Sequence, residues 1–528
     1  MDKTDRVPLT AGQSPPEAAP IGRVLKNVAS NYAGKGIELV TFLLLTPFLL
    51  HVLGPVQFGL WSLTGSLVAY GGLLDFGVSN AVTKQVAEYM ALDRLTEVRR
   101  MLATSLWLYC AVGLLILLLS GALAMLLPLF VALPPGTRRE APWLVVALGA
   151  TLALSFPGTS AFAALQGLHR YDVATAIRTA WTVISAVAAV AALQFSQSAL
   201  AVALSNLPVA VAFQLTVFGI LHRLSPELRF DPRQAQRKLL RPIASFSSAV
   251  FVSNAAFRLE TKTDEVVIGS LLGVASVTPY AVAQRLAGLA ELLTEQFRRV
   301  LLPIASELTA RERLEHLRLL YSSSTRITLA INVPLVATLA ILARPILGQW
   351  VGDSYAGGGP LVGILAVAGL IAVSQRPAAT MLQGMNRHHP LAIMSLASGV
   401  LNLGLSLLLV RQFGLVGVAV GTLVPTAVIY LAVMLPFCLR VLEVSWATAL
   451  RQMFVPPILA AVPTVVLLLE ARRLWNLDSL PLLLGCALGG LIIYAGVYLG
   501  FVANELERRT CLNILHIALR FPRPAGRG

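Results

Sequence analysis

Charge is what this chain has least of. Of its 528 residues only 13% are Asp, Glu, Lys or Arg, about half of the roughly 25% common in soluble domains. With 56% hydrophobic residues and a mean hydropathy of +0.75, that scarcity excludes a soluble globular class. Cysteine is scarce too. Cys110, Cys438 and Cys486 fall in apolar runs and Cys511 in the terminal tail, a placement that gives no disulfide framework. Nucleotide and hydrolase motifs are missing. There is no GxxxxGK[ST] loop, HExxH, GxSxG or zinc-spaced Cys/His cluster, so no P-loop hydrolysis and no standard metallohydrolase or serine-hydrolase chemistry is expected. Acidic residues in the short outer loops (Glu140, Asp353, Glu470 and Asp478) stand singly, which argues against a membrane glycosyltransferase. The expectation is a non-enzyme without a cofactor or metal site. Residues 1–20 are polar and Pro-rich with no apolar core, unlike a cleaved signal peptide.

Long apolar runs, by contrast, recur from about residue 29 to residue 502. Many reach 20 residues, enough to cross a hydrocarbon core of about 30 Å. Only helices and closed barrels satisfy their backbone in lipid. Runs such as LWLYCAVGLLILLLSGALAMLLPLFVAL (106–133) lack the alternation of barrel strands. The sequence therefore predicts an all-α polytopic membrane protein of fourteen transmembrane helices. The net charge of +15 points to membrane topology, not to nucleic acid. The tails and the loops near 82–101, 167–171, 223–240, 301–318, 385–388 and 438–445, with the helix ends adjoining them, hold 28 of the 41 Lys and Arg residues. The opposite loops hold six and the spans seven. The positive-inside rule then places both termini in the cytoplasm of a multi-pass protein of the bacterial inner membrane.

Segments recur about 218 residues apart. EYMALDRLTEVR (88–99) aligns on ELTARERLEHLR (307–318), LQGLHR (165–170) on LQGMNR (382–387), PVAV (208–211) on PTAV (425–428), and LGPVQFGLW (53–61) on LGVASVTPY (272–280). Repeats of six helices enter the membrane with the same orientation, which predicts two parallel-repeat six-helix bundles around a central cleft, plus two extra C-terminal helices. The expected divisions are a cytoplasmic tail (1–22), a first bundle (23–223), a basic linker (224–240), a second bundle (241–440), an additional helix pair (441–504) and an amphipathic tail (505–528). Residues 82–101 and 301–318 read as amphipathic helices lying at the interface. Gly167 and Gly384 are expected to give the LQGxxR turns their conformational freedom.

Ionisable groups inside spans cost about 2.5–3.5 kcal/mol each at a helix centre, and they persist where they pair, meet water or bind something. Asn27, Asn31, Lys35 and Glu38 form one stripe, and Asn254, Arg258, Lys262 and Glu265 form another with the same spacing. Arg285 and Arg376 lie in later helices. Lys35, Arg258, Lys262, Arg285 and Arg376 are the candidate cavity cations, since guanidinium forks and ammonium groups suit a phosphate. Glu38, Asp264 and Glu265 are candidate coupling or pairing carboxylates. Internal ion pairs, Lys35 with Glu38 and Lys262 with Glu265, are the alternative. Glu291, Glu295 and Asp75 read as interfacial groups.

The chain resembles an oligosaccharide flippase of the polysaccharide transporter family, within the multidrug/oligosaccharidyl-lipid/polysaccharide superfamily. The resemblance is carried by LGPVQFGLWSL (53–63), LLDFGVSNA (73–81), TDEVVIGSLLG (263–273), YAVAQRL (280–286), WVGDSY (350–355) and LQGMNR (382–387). It implies a V-shaped cleft and alternating access for a polyprenyl-diphosphate-linked oligosaccharide. The partners it implies are membrane lipids, a polysaccharide polymerase and glycosyltransferases. The acidic residues beside the cations leave Na⁺ or H⁺ coupling open. A cation-coupled drug or metabolite exporter of the same superfamily, or a non-transporting scaffold of a polysaccharide synthesis complex, is the alternative.

Overall fold

A computed structural model describes residues 21–228, 231–292, 294–475, 477–505 and 507–509. Both terminal tails, apart from their innermost residues, and the side chains of Asn27, Asn31 and Glu295 lie outside the described residues, and so do the expectations placed on them. The chain is helical, with no strand among the described residues. The first half comprises α1 (Ile21–Ala69), a 3-10 turn (Tyr70–Asp75), α2 (Val78–Ala91), α3 (Leu95–Phe130), α4 (Glu140–Gly167), α5 (Tyr171–Phe195) and α6 (Ala199–Leu224). The second comprises α7 (Leu240–Leu271), α8 (Val274–Ala287), α9 (Leu289–Leu292), α10 (Glu295–Ala310), α11 (Leu314–Val351), α12 (Gly359–Ser374), α13 (Arg376–Gly384), α14 (His388–Ala427), a π-helical stretch (Val428–Met434) and α15 (Leu435–Val441). The chain closes with α16 (Trp446–Thr448), α17 (Val455–Ala460), α18 (Val462–Leu474) and α19 (Leu480–Val497).

Ten helical stretches among the described residues are long and apolar enough to span a bilayer. Two of them are broken at a glycine, Gly54 in α1 and Gly414 in α14. The polar run from α7 to α10 falls outside the ten. These stretches do not themselves number fourteen.

The sequence repeat has a backbone counterpart. Gly54 (φ 70°, ψ 174°) and Gly273 (φ 88°, ψ 161°) hold a conformation essentially confined to glycine, and both interrupt the chain at the same point of the repeat. Asp93 and Glu312 take φ of 54° and 55°, and His169 and Asn386 take 57° and 58°. The Arg99 Nε donates to the Glu227 carbonyl at 2.7 Å, and its repeat partner Arg318 donates to the Leu442 carbonyl at 2.7 Å.

Two expectations are corrected by this geometry. Neither 82–101 nor 301–318 is a single helix. In each, a helix of 14 or 16 residues, α2 or α10, ends in a tight turn and a long helix, α3 or α11, begins at once, with Val82, Val86 and Val98 buried in the first half and Ala305 and Leu317 in the second. The LQGxxR glycines do not supply the unusual dihedral, which falls on His169 and Asn386. They permit close approach instead: a methyl group on Gly167 would lie 2.8 Å from the Thr83 carbonyl oxygen, and one on Gly384 would lie 2.8 Å from Ala305.

Packing differs between the two ends of the molecule. At the end that carries Gly54 and Gly273, both halves share one apolar core: Leu49, Phe58, Leu63, Leu127 and Leu144 pack in the same cluster as Val267, Ile268, Tyr280, Leu347 and Val362. At the basic end there are two cores. One gathers Val86, Val98, Met101, Leu165 and Leu221 of the first half. The other gathers Ala305, Leu317, Tyr321, Met381 and Leu439 of the second. Among the described residues the halves thus share a core at one end, while each has a core of its own at the other. The final helices pack on α11 through Leu329, Val333, Tyr494 and Tyr498, and the buried Arg326 ties α11 to Glu507 at 3.3 Å.

Replacing Gly54 or Gly273 by alanine is expected to destabilise the protein by about 1–3 kcal/mol through backbone strain. Gly121→Ala is the control, since its added methyl meets nothing within 4 Å and the backbone is helical. Thermal unfolding in detergent checks this: the first two substitutions lower the midpoint, and the control leaves it unchanged or raises it.

Candidate functional site

The two halves meet along the stretch of α1 beyond Gly54 and along α7 and α8. From the shared-core end, the Thr278 hydroxyl donates to the Pro55 carbonyl at 2.5 Å. Gly59 follows, where a methyl group would sit 2.2 Å from the Val274 carbonyl oxygen, and then Leu63 lies against Gly269. Next, Ser62 and Ser66 donate to the Glu265 carboxylate at 3.0 and 2.7 Å. The Tyr70 hydroxyl bonds that of Thr263 at 2.7 Å and donates to the Arg258 carbonyl at 3.4 Å. The helix tightens to a 3-10 turn at this point, and Gly72 makes room for a guanidinium: a methyl there would lie 2.7 Å from Arg258 Nη2. Phe76, with φ 47°, then stacks on Phe251 with ring centroids 4.9 Å apart.

Three of the five candidate cations belong to α7 and α8 along this seam. Arg258 and Lys262 are half-buried. Arg285 places its guanidinium over the rings of Phe58 and Trp61, 5.0 and 5.2 Å from their centroids. Among the described residues, no carboxylate lies within ion-pair distance of any of the three. The other two cations are matched. Lys35 bonds Glu38 at 2.5 Å, one of the alternatives left open by their spacing. Arg376 bonds Glu291 at 2.5 Å, so Glu291 is a pairing group between helices and not an interfacial one. Lys262 and Glu265 do not pair, because Glu265 turns to the serines of the first half.

Helix α7 is two-faced. Arg258, Lys262 and Glu265 share one face. Asp264 lies on another, 0% exposed, among hydroxyls of the second half. It accepts from Tyr280 at 2.6 Å, from Thr422 at 2.8 Å and from Ser406 at 3.5 Å. Asn402 donates to Thr422 at 2.9 Å, and its own carbonyl oxygen is buried without a hydrogen bond. Glu260, one turn from Asp264, accepts from Ser398 at 3.3 Å and Tyr430 at 3.4 Å. Sequence reasoning passed over Glu260, although its spacing of four from Asp264 in a membrane helix was a readable signal. In the first half, the half-buried Asp75 accepts from Tyr109 at 2.7 Å and Ser79 at 2.9 Å, which makes it a bonded cap at the start of α2.

The unmatched cations can hold an anion at the junction of the halves. The Asp264 cage can hold a cation or a proton. Arg376→Ala is expected to cost about 1 kcal/mol, given the partial exposure of its ion pair. The double change Glu291→Gln with Arg376→Gln should recover most of that loss, and Arg258→Ala should leave the thermal midpoint in detergent unchanged.

Residues 48–358 match the model of a family described as polysaccharide biosynthesis protein. The fold is similar to that of the lipid II flippase MurJ in an inward closed conformation, with 13% identity, a TM-score of 0.65, and coverage of 92% of this chain and 100% of that one. It is also similar to an inward-facing multidrug-resistance MATE family transporter of the MOP superfamily, with 16% identity, a TM-score of 0.57, and coverage of 81% and 99%. A MOP superfamily transporter from Pyrococcus furiosus, described by the reverse polarity of its binding pocket, has 16% identity, a TM-score of 0.57, and coverage of 81% and 98%. No curated protein matches the chain by sequence.

Proposed function

The chain belongs to the polysaccharide biosynthesis protein family, and from that premise we propose that it is a flippase. It carries a polyprenyl-diphosphate-linked oligosaccharide from the cytoplasmic to the outer leaflet of the bacterial inner membrane by alternating access. The carrying observation is the placement of Arg258, Lys262 and Arg285. Three cations without an ion-pair carboxylate among the described residues stand where two helical halves meet, beside the core that the halves share. With the basic end in the cytoplasm, the separate cores face the leaflet from which the substrate comes. The diphosphate sits between Arg258, Lys262 and Arg285, the sugars occupy the hydrated space between the halves, and the polyprenyl chain stays in lipid. Lys35 and Arg376 join only by giving up Glu38 and Glu291. An inside-negative potential favours outward movement of an anion by about 2.3 kcal/mol per charge per 100 mV.

A drug exporter that binds cations would need carboxylates turned to the substrate. Here Glu265 is held by two serines, and Asp264 faces the interior of the second half. Asp264 better suits energy coupling by Na⁺ or H⁺: it has no basic partner among the described residues, and Asn402 offers a spare carbonyl oxygen. A polymerase and glycosyltransferases of a polysaccharide pathway are the natural partners.

In liposomes bearing a labelled lipid diphosphate, Arg258→Ala and Arg285→Ala should each slow flipping about tenfold or more, the loss of one charge-assisted hydrogen bond. Membrane insertion should be unchanged. Wild-type rates in both variants would remove these residues from the site. Asp264→Asn should abolish any dependence of the rate on Na⁺ or on a proton gradient, and an unaltered dependence would move coupling elsewhere.

A further inference from the structure

We propose that Glu265 and Arg285 form a polar latch that holds the halves together at the shared-core end, and that the diphosphate loosens it by drawing Arg285 away. The receiving side is one face of the helix beyond Gly54. Phe58, Trp61, Ser62 and Ser66 are spaced three, one and four, which brings them to a common side. All four belong to the first half. Both groups that dock on them belong to the second. Glu265 accepts from Ser62 at 3.0 Å and Ser66 at 2.7 Å, and Arg285 lies on the rings of Phe58 and Trp61. Each contact exists only while the halves are closed on this side.

The chemistry of these contacts suits opening. Parting the shared apolar core exposes apolar surface to the entering water, and the polar contacts beside it carry no such cost. An ionised carboxylate held by two hydroxyls exchanges them for water as the halves part, and it is never stranded without hydrogen bonds. Arg285 has the same freedom. Its attraction to two aromatic faces is weaker than charge-assisted bonds to a phosphate, so an arriving diphosphate competes for it and releases one of the two contacts. Glu265 is thereby a positioning residue that acts through the junction and does not touch the substrate. This last step rests on the flippase reading; the latch does not.

The test places spin labels at Arg138→Cys and Arg411→Cys, one exposed residue from each half, in a full-length chain whose native cysteines are alanine. Distances are measured in liposomes. Glu265→Ala and the pair Ser62→Ala with Ser66→Ala should each raise the population with the longer separation about tenfold, the loss of a buried charge-assisted bond. Ser62→Thr with Ser66→Thr, which keeps both hydroxyls, should resemble the unsubstituted pair. So should Thr64→Ala, whose hydroxyl serves only its own helix by donating to the Leu60 and Trp61 carbonyls. Unchanged distances in both alanine variants overturn the latch. Farnesyl diphosphate should lengthen the distance in the parent protein and not in Arg285→Gln. A shift in the alanine variants with no response to farnesyl diphosphate would keep the latch and overturn its release by substrate.

Discussion

A charge in hydrocarbon has to find an opposite charge, a set of hydrogen bonds or water. That constraint sorts the ionisable groups of this protein into three kinds. Lys35 and Arg376 take a carboxylate. Asp75, Asp264 and Glu265 take hydroxyl groups. Arg258, Lys262 and Arg285 take neither among the described residues, and all three lie along one junction. A chain that spans a membrane keeps such groups where water or a ligand can reach them, and this is the ground for proposing the junction as the anion site.

The duplicated architecture explains how a junction of that kind arises. Two similar halves pack on each other at one end, where Gly54 and Gly273 break the chain so that its apolar segments can merge into one core. At the other end each half keeps its own core. The seam is built from contacts of mixed strength: backbone against glycine near its closed end, hydroxyls on a carboxylate beyond that, and an aromatic stack at Phe76 and Phe251.

Much of this was legible in the sequence. The helical class followed from the apolar runs, and the repeat from its nearly constant offset. The polar stripe on α7 followed from the spacing of Arg258, Lys262 and Glu265, because helical period alone places them on one face. What the sequence withheld was the identity of partners far apart in the chain. Serines in a membrane helix carry no mark that distinguishes Ser62 and Ser66 as receivers of a carboxylate 203 and 199 residues away. The match of Glu291 to Arg376, 85 residues on, was hidden in the same way. Local pairing at a spacing of three held for Lys35 and Glu38 and failed for Lys262 and Glu265, since only the latter carboxylate has an alternative set of donors across the seam. The LQGxxR glycines misled because a glycine in a turn motif suggests dihedral freedom, whereas close helix approach demands the same residue.

The most direct measurement is the binding of farnesyl diphosphate, with farnesol as control, to the detergent-purified protein by titration calorimetry. The prediction is saturable binding that requires the diphosphate and weakens with salt. In the protein carrying Arg258→Gln, Lys262→Gln and Arg285→Gln together, that binding disappears while the protein remains folded and monodisperse. Equal binding by the triple variant, or equal binding of farnesol, would contradict the assignment of the three cations as the anion site.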